Sequence, residues 1–201
     1  MEFNSLLFFF DLLGTFAFAI SGAIAGIEKK MDIFGMYVLA LATATGGGTL
    51  RAVLIGDAPV PIFKNPSYLI VSALAVILVF YFRDQIIDRR KTLLLYDAFG
   101  LGIFLSIGVT VSLQAGLNYW ASIIMGVITA SFGGVIRDVL SAQVPLIFKK
   151  ELYATVCLTG GVVYILLLYL NLPKELIILS SAAIVFVFRI IAMKYNLKLP
   201  K

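Results

Sequence analysis

The 201-residue sequence predicts an all-α integral membrane protein, with seven transmembrane helices arranged as a 3+3 inverted repeat plus a seventh helix, N-terminus outside and C-terminus inside. Three observations lead there. The chain is 61% hydrophobic and 13% charged with a mean hydropathy of +1.04, against about 45–50% apolar and ~25% charged in a soluble domain. Seven apolar runs approach the roughly 20 residues that a bilayer crossing needs. The first three runs also match the next three in register. The whole of 1–201 reads as one membrane domain, with repeat 1 at about 5–82, repeat 2 at about 93–170 and the terminal helix at about 174–195.

The first run, 5–27, is interrupted only by Asp11, and no Lys or Arg precedes it, so it reads as a crossing rather than a cleaved leader. The second, about 31–55, carries Gly46-Gly47-Gly48 and Arg51. The third, Pro66 to Phe82, is uncharged, and RDQIIDRRK (83–91) reads as a loop. A fourth run at about 93–115 holds Asp97, and a fifth at about 118–142 holds Gly133-Gly134, Arg137 and Asp138. The sixth and seventh are expected at about 151–170 and 174–193.

Sorting the cations by loop sets the orientation. With the N-terminus outside, the inner side receives Lys29, Lys30, Arg83, Arg89, Arg90, Lys91, Lys149, Lys150, Arg189, Lys194, Lys198 and Lys201. The outer side receives only Lys64 and Lys174, while Arg51 and Arg137 fall inside spans. This placement explains the net charge of +5 without a nucleic-acid partner. The chain has no His and a single cysteine, Cys157. It therefore lacks the commonest general base and metal ligand, and no cofactor is expected. No paired carboxylates or nucleophile with a base stand out, which argues against an enzyme.

Shifting the sequence by 86 residues superposes Asp11 on Asp97, Gly14 on Gly100, Phe18 on Phe104, Gly22 on Gly108, Gly47-Gly48 on Gly133-Gly134, and Arg51 on Arg137. After a one-residue deletion Ile62-Phe63-Lys64 meets Ile147-Phe148-Lys149, and Tyr68 meets Tyr153. Three spans per copy force the second copy to enter from the opposite face, an arrangement suited to a pathway across the membrane. A plain duplicated bundle is the competing use.

The glycine runs late in the second and fifth spans carry the functional expectation. Each Gly costs about 1 kcal/mol in helix propensity, so Gly46, Gly47 and Gly48, and likewise Gly133 and Gly134, invite a break. Freed carbonyls must then be buried or face water, where they can ligate cations. Close packing is the other use of such glycines, and is expected for Gly22 and Gly26. Thr49, with Ser21, Thr43, Thr45, Thr129 and Ser131, offers hydroxyl ligands, although such hydroxyls commonly bond their own helix. Phe132 stands where the triplet's first glycine would fall and reads as a narrowing or gating side chain. Among the buried charges, Asp11 is expected to face Arg51 near the outer surface and Asp97 to face Arg137 near the inner one, with Asp138 unmatched. The arginines could instead snorkel to headgroups.

With GGGTLR (46–51) and FGGVIRD (132–138) so placed in a 3+3+1 repeat, the chain resembles the prokaryotic branch of the trimeric intracellular cation (TRIC) channel family, also described as a glycine transporter family. The resemblance covers the whole chain. It implies a homotrimer in a prokaryotic cell membrane, surrounded by membrane lipid, with a potassium-permeable pore in each protomer walled by the second and fifth helices. Any metal at the glycine breaks is then transient potassium. Two positions depart from the family pattern Gly-Gly-Gly-x-x-Arg-Asp: Ala52 replaces the acid in the first copy, and Phe132 replaces a glycine in the second. The alternative is a secondary transporter of glycine or a similar small solute, with one of the buried acids as coupling group.

Overall fold

A computed structural model describes residues 3–86, 88–149, 152–195 and 197. The regular structure of the described residues is α-helical: α1 (Phe3–Glu28), α2 (Ile33–Ile55), α3 (Pro61–Lys64), α4 (Ser67–Tyr81), α5 (Arg89–Gln114), α6 (Tyr119–Leu140), α7 (Leu146–Lys149), α8 (Ala154–Tyr169) and α9 (Lys174–Lys194). Five of these, α1, α2, α5, α6 and α9, are long and apolar enough to cross a membrane. The apolar helices α4 and α8 are shorter, at 15 and 16 residues.

Local chemistry sets the ends. Asp32 caps α2 by accepting the Gly35 amide at 2.7 Å, and Asn118, one repeat length later, caps α6 by accepting the Ala121 amide at 3.0 Å. Each satisfies one of the orphan donors of a first helical turn. Gly56 closes α2 at φ +73°, a left-handed conformation open to glycine. Asp88 caps α5 by accepting the Lys91 amide at 2.9 Å. Arg89, Arg90 and Lys91, expected in a loop, are therefore the first turn of a helix that starts four residues early. Hydrogen bonds from the Lys91 amide and the Lys91 side chain hold the part-exposed Asp88 carboxyl below the usual carboxylate range.

At the centre, α1 packs on α2, α4 and α5, α5 on α6 and α9, and α2 on α6. Phe18 of α1 meets Phe104 of α5 edge to face at 5.1 Å. Leu69, Ile70, Leu74, Ile77 and Leu78 of α4 point outward, an apolar exterior that suits hydrocarbon.

The expected breaks are absent: α2 is α-helical through Gly46, Gly47 and Gly48, and α6 through Gly133 and Gly134. The glycines instead seat the two helices against each other. A methyl group on Gly47 would lie 2.0 Å from the Thr129 carbonyl oxygen, and one on Gly133 would lie 2.2 Å from the Thr43 carbonyl oxygen. The physical reason is a balance of magnitudes. A glycine weakens a helix by about 1 kcal/mol, whereas each backbone group left unpaired in a bilayer costs several. Gly22 does pack as expected, 2.7 Å from the Ala40 Cα by the same measure, and Gly26 packs against Met36.

Two further expectations change. Phe132 is 36% exposed at the surface of the bundle, which removes the basis for a gate beside Gly133. Arg189, counted with the inner-side cations, is 1% exposed within α9. Lys150, Lys198 and Lys201 lie outside the described residues, as does the expected start of the sixth span at 151.

Candidate functional site

Polar side chains gather at two places in the bundle, one built mainly from each copy of the repeat. In the first, α1 presents Asp11, α2 presents Arg51 and α4 presents Tyr68. The Tyr68 hydroxyl donates to Asp11 Oδ2. Arg51 is 6% exposed and its Nη1 makes no hydrogen bond. The expected Asp11–Arg51 ion pair does not form, although both side chains line one cavity of about 10 Å³ with Thr15, Thr45, Gly48 and Tyr68. That is room for about one water molecule. Gly48 faces this space, the nearest neighbour to a methyl there being Arg51 Nη2 at 3.9 Å.

In the second place the expected pair does form. Arg137 Nη1 of α6 lies 2.6 Å from Asp97 Oδ1 of α5, both side chains fully buried. The same Nη1 donates to Ser21 Oγ of α1. Asp138, expected to be unmatched, is engaged: Arg137 Nε donates to its Oδ1 at 2.9 Å, and the Leu146 amide at the start of α7 donates to its Oδ2 at 2.8 Å. Arg137 Nη2 lies 2.9 Å from Asp138 Oδ1 at an angle too poor for a hydrogen bond, which makes that contact Coulombic. One guanidinium is thus held by two carboxylates, a geometry that offsets part of the desolvation of three charges. Asp97 Oδ2 and the Tyr153 hydroxyl are buried without a hydrogen bond.

Between these places the α2–α6 contact is sealed by backbone, and the nearby hydroxyls are spent on their own helices. Thr43 bonds Leu39, Thr45 bonds Leu41, Thr129 bonds Met125 and Ser131 bonds Val127, each to a carbonyl four residues back. Three contributors stand outside the expected site residues: Tyr68, Tyr153 and Arg189. The two tyrosines carried a signal, since they align under the same repeat. Arg189 carried none, because a cation five residues from the end of an apolar run looks like a flank.

The glycine transporter family model matches the chain twice, over residues 8–84 and 94–169, once per copy of the repeat. The inner membrane protein YadS of Escherichia coli (strain K12) is 36% identical over 197 residues, covering 97% of this chain and 95% of YadS. Among solved structures, the TRIC trimeric intracellular cation channel orthologue from Rhodobacter sphaeroides superposes with a TM-score of 0.92 at 33% identity, covering 96% of this chain and all of that one. A structure from work on conductance through TRIC cation channels gives 0.85 at 39% identity, covering 100% of this chain and 97% of that one. With both copies of the repeat matched and the fold superposing over almost its full length, the chain belongs to the prokaryotic branch of the TRIC family, as a multi-pass protein of the cell membrane.

Proposed function

We propose that the chain is a passive channel for monovalent cations, potassium first among them, with one pathway in each protomer of a homotrimer. In this reading seven helices cross the membrane, α3 and α7 serving as short lead-ins to α4 and α8, and the two three-span halves run in opposite senses with the N-terminus outside. The pathway follows α2 and α6 from the Asp11–Tyr68–Arg51 chamber to the Asp97–Arg137–Asp138 cluster.

The observation that carries the reading is a pair of ionisable clusters at opposite ends of one helix contact, in which Arg51, Asp97, Arg137 and Asp138 are buried and Asp11 is half-buried. Ionisable groups at such depth are expensive and mark ion paths. The reciprocal contacts of Gly47 with Thr129 and Gly133 with Thr43 support the inverted arrangement, because each is the other shifted by one repeat. The intact helices move the expected ligands from backbone carbonyls to side chains. Conduction then requires the α2–α6 seam to part and Arg137 to release Asp97. Family membership supports the choice of cations, since related structures are described as trimeric cation channels.

Purified protein in planar bilayers tests it. Unitary potassium currents far above the turnover of a carrier are expected. Saturable glycine uptake by proteoliposomes without unitary steps would replace the channel with a transporter.

A further inference from the structure

The second half of the molecule holds a charge that the repeat does not account for. Arg189 lies on α9, which follows both copies, five residues before that helix ends at Lys194. At a rise of 1.5 Å per residue its Cα sits about 7.5 Å inside that end, close enough for a long side chain to snorkel to headgroups. It does not do so. The residue is 1% exposed, and its guanidinium turns inward to lie 4.5 Å above the centroid of the Tyr153 ring. Nη1 reaches the Leu152 carbonyl at 3.5 Å, while Nε and Nη2 make no hydrogen bond. Among the described residues no carboxylate oxygen lies within 4.0 Å of it. A buried guanidinium with an aromatic face for a partner and no counter-ion among the described residues is costly, and in a membrane span such a charge points to function.

The hydroxyl edge of that ring says which function. The Tyr153 hydroxyl and Asp97 share one small volume: a methyl on Gly134 would lie 3.0 Å from the hydroxyl and 3.2 Å from Asp97 Oδ1. Arg189 therefore stands one aromatic ring away from the acid at this end of the proposed path. Among the described residues Asp97 and Asp138 with Arg137 alone would leave one net negative charge there, and Arg189 brings that sum to zero. The opening beside Asp138 adds Glu28 and Arg90, one of each sign. Nothing comparable cancels Asp11 from outside the repeat among the described residues.

We propose that Arg189 sets the cation flux at this end of the path, by cancelling through Tyr153 the negative charge that would otherwise concentrate cations beside Asp97. The inference rests on the channel reading above. Arg189 acts by its field rather than by touching the ion, so it is a positioning residue for the electrostatics of the path, and its effect on cations gathering in the aqueous mouth must fade as salt screens that mouth.

The test is unitary potassium conductance of the full chain in neutral phosphatidylcholine bilayers at 50 mM and 1 M KCl. Even at the dielectric constant of water, the weakest case, a unit charge several ångströms away changes local ion occupancy by about two- to threefold. Arg189→Gln is therefore expected to conduct about two- to threefold better than wild type at 50 mM and to match it at 1 M, where the Debye length is ~3 Å. Arg189→Lys keeps the charge and should follow wild type at both. Arg189→Leu, which suits an apolar site, repeats the comparison if the glutamine variant does not fold. Wild-type steps with both neutral variants unchanged at 50 mM overturn the inference, as does an increase by the same factor at both salts, which assigns the effect to packing. Wild-type protein with no unitary steps removes the channel reading and this inference together.

Discussion

The two halves of the chain carry the same acid, arginine and tyrosine at matching positions and wire them differently. Among the described residues, in the first half Asp11 accepts from Tyr68 and Arg51 has no ion-pair partner, whereas in the second Asp97 is paired with Arg137 and the Tyr153 hydroxyl is without a hydrogen bond. The cause is visible one residue further on. Asp138 follows Arg137 and grips its Nε, while Ala52 follows Arg51 and offers nothing. A second carboxylate steers the guanidinium into a buried network, and its absence leaves the acid to the tyrosine. One side chain thus decides whether a duplicated cluster becomes a locked ion network or a small cavity.

The largest expected effect comes from removing the two arginines separately. Arg137→Gln strands two buried carboxylates and should destabilise the protein by about 3–5 kcal/mol. Arg51→Gln strands none and should cost less than about 1 kcal/mol. Thermal unfolding of both variants in detergent measures the difference, and equal losses would break the comparison.

The tyrosines should differ in the opposite direction. Tyr68→Phe deletes a hydrogen bond to a carboxylate and is expected to cost about 1.5–3 kcal/mol, while Tyr153→Phe deletes a hydroxyl that bonds nothing and should be close to neutral. A smaller effect tests the wiring itself. In an Ala52→Asp background Arg51 acquires the partner it lacks, so Arg51→Gln should become costlier by about 1 kcal/mol, read as the coupling energy of a double-mutant cycle. Zero coupling would show that Asp138 does not explain the asymmetry.

The glycines supply a control inside one helix. Gly47→Ala drives a methyl into the Thr129 carbonyl and should cost about 1–3 kcal/mol as overpacking, whereas Gly48→Ala opens onto the cavity and should leave stability within about 0.5 kcal/mol of wild type.

What the sequence revealed and what it concealed divide along the same physical line. Composition and runs of apolar residues report burial in lipid, so the spans carrying Asp11, Arg51, Asp97 and Arg137 were readable to within a few residues. The 86-residue shift brought together Tyr68 and Tyr153, and the Asp97–Arg137 pair followed from depth alone. Gly46–Gly48 misled because propensity is local, while the contact of Gly47 with Thr129 joins residues 82 positions apart. The engagement of Asp138 depended on the Leu146 amide, which no pattern in the spans announces. Arg189 hid for a related reason: a cation near a helix end is ambiguous until a neighbouring helix, here bearing Tyr153, is seen to cover it.

A pathway along α2 and α6 requires ions to pass beside α2 through the chamber that Gly48 faces. Gly48→Cys in a Cys157→Ser background, treated with a cationic methanethiosulfonate reagent during bilayer recording, puts that to the test. Modification should sharply reduce the potassium current, since the added group fills a cavity of about 10 Å³ beside Arg51. A current that persists unchanged after mass spectrometry confirms the modified thiol would contradict a path through this chamber.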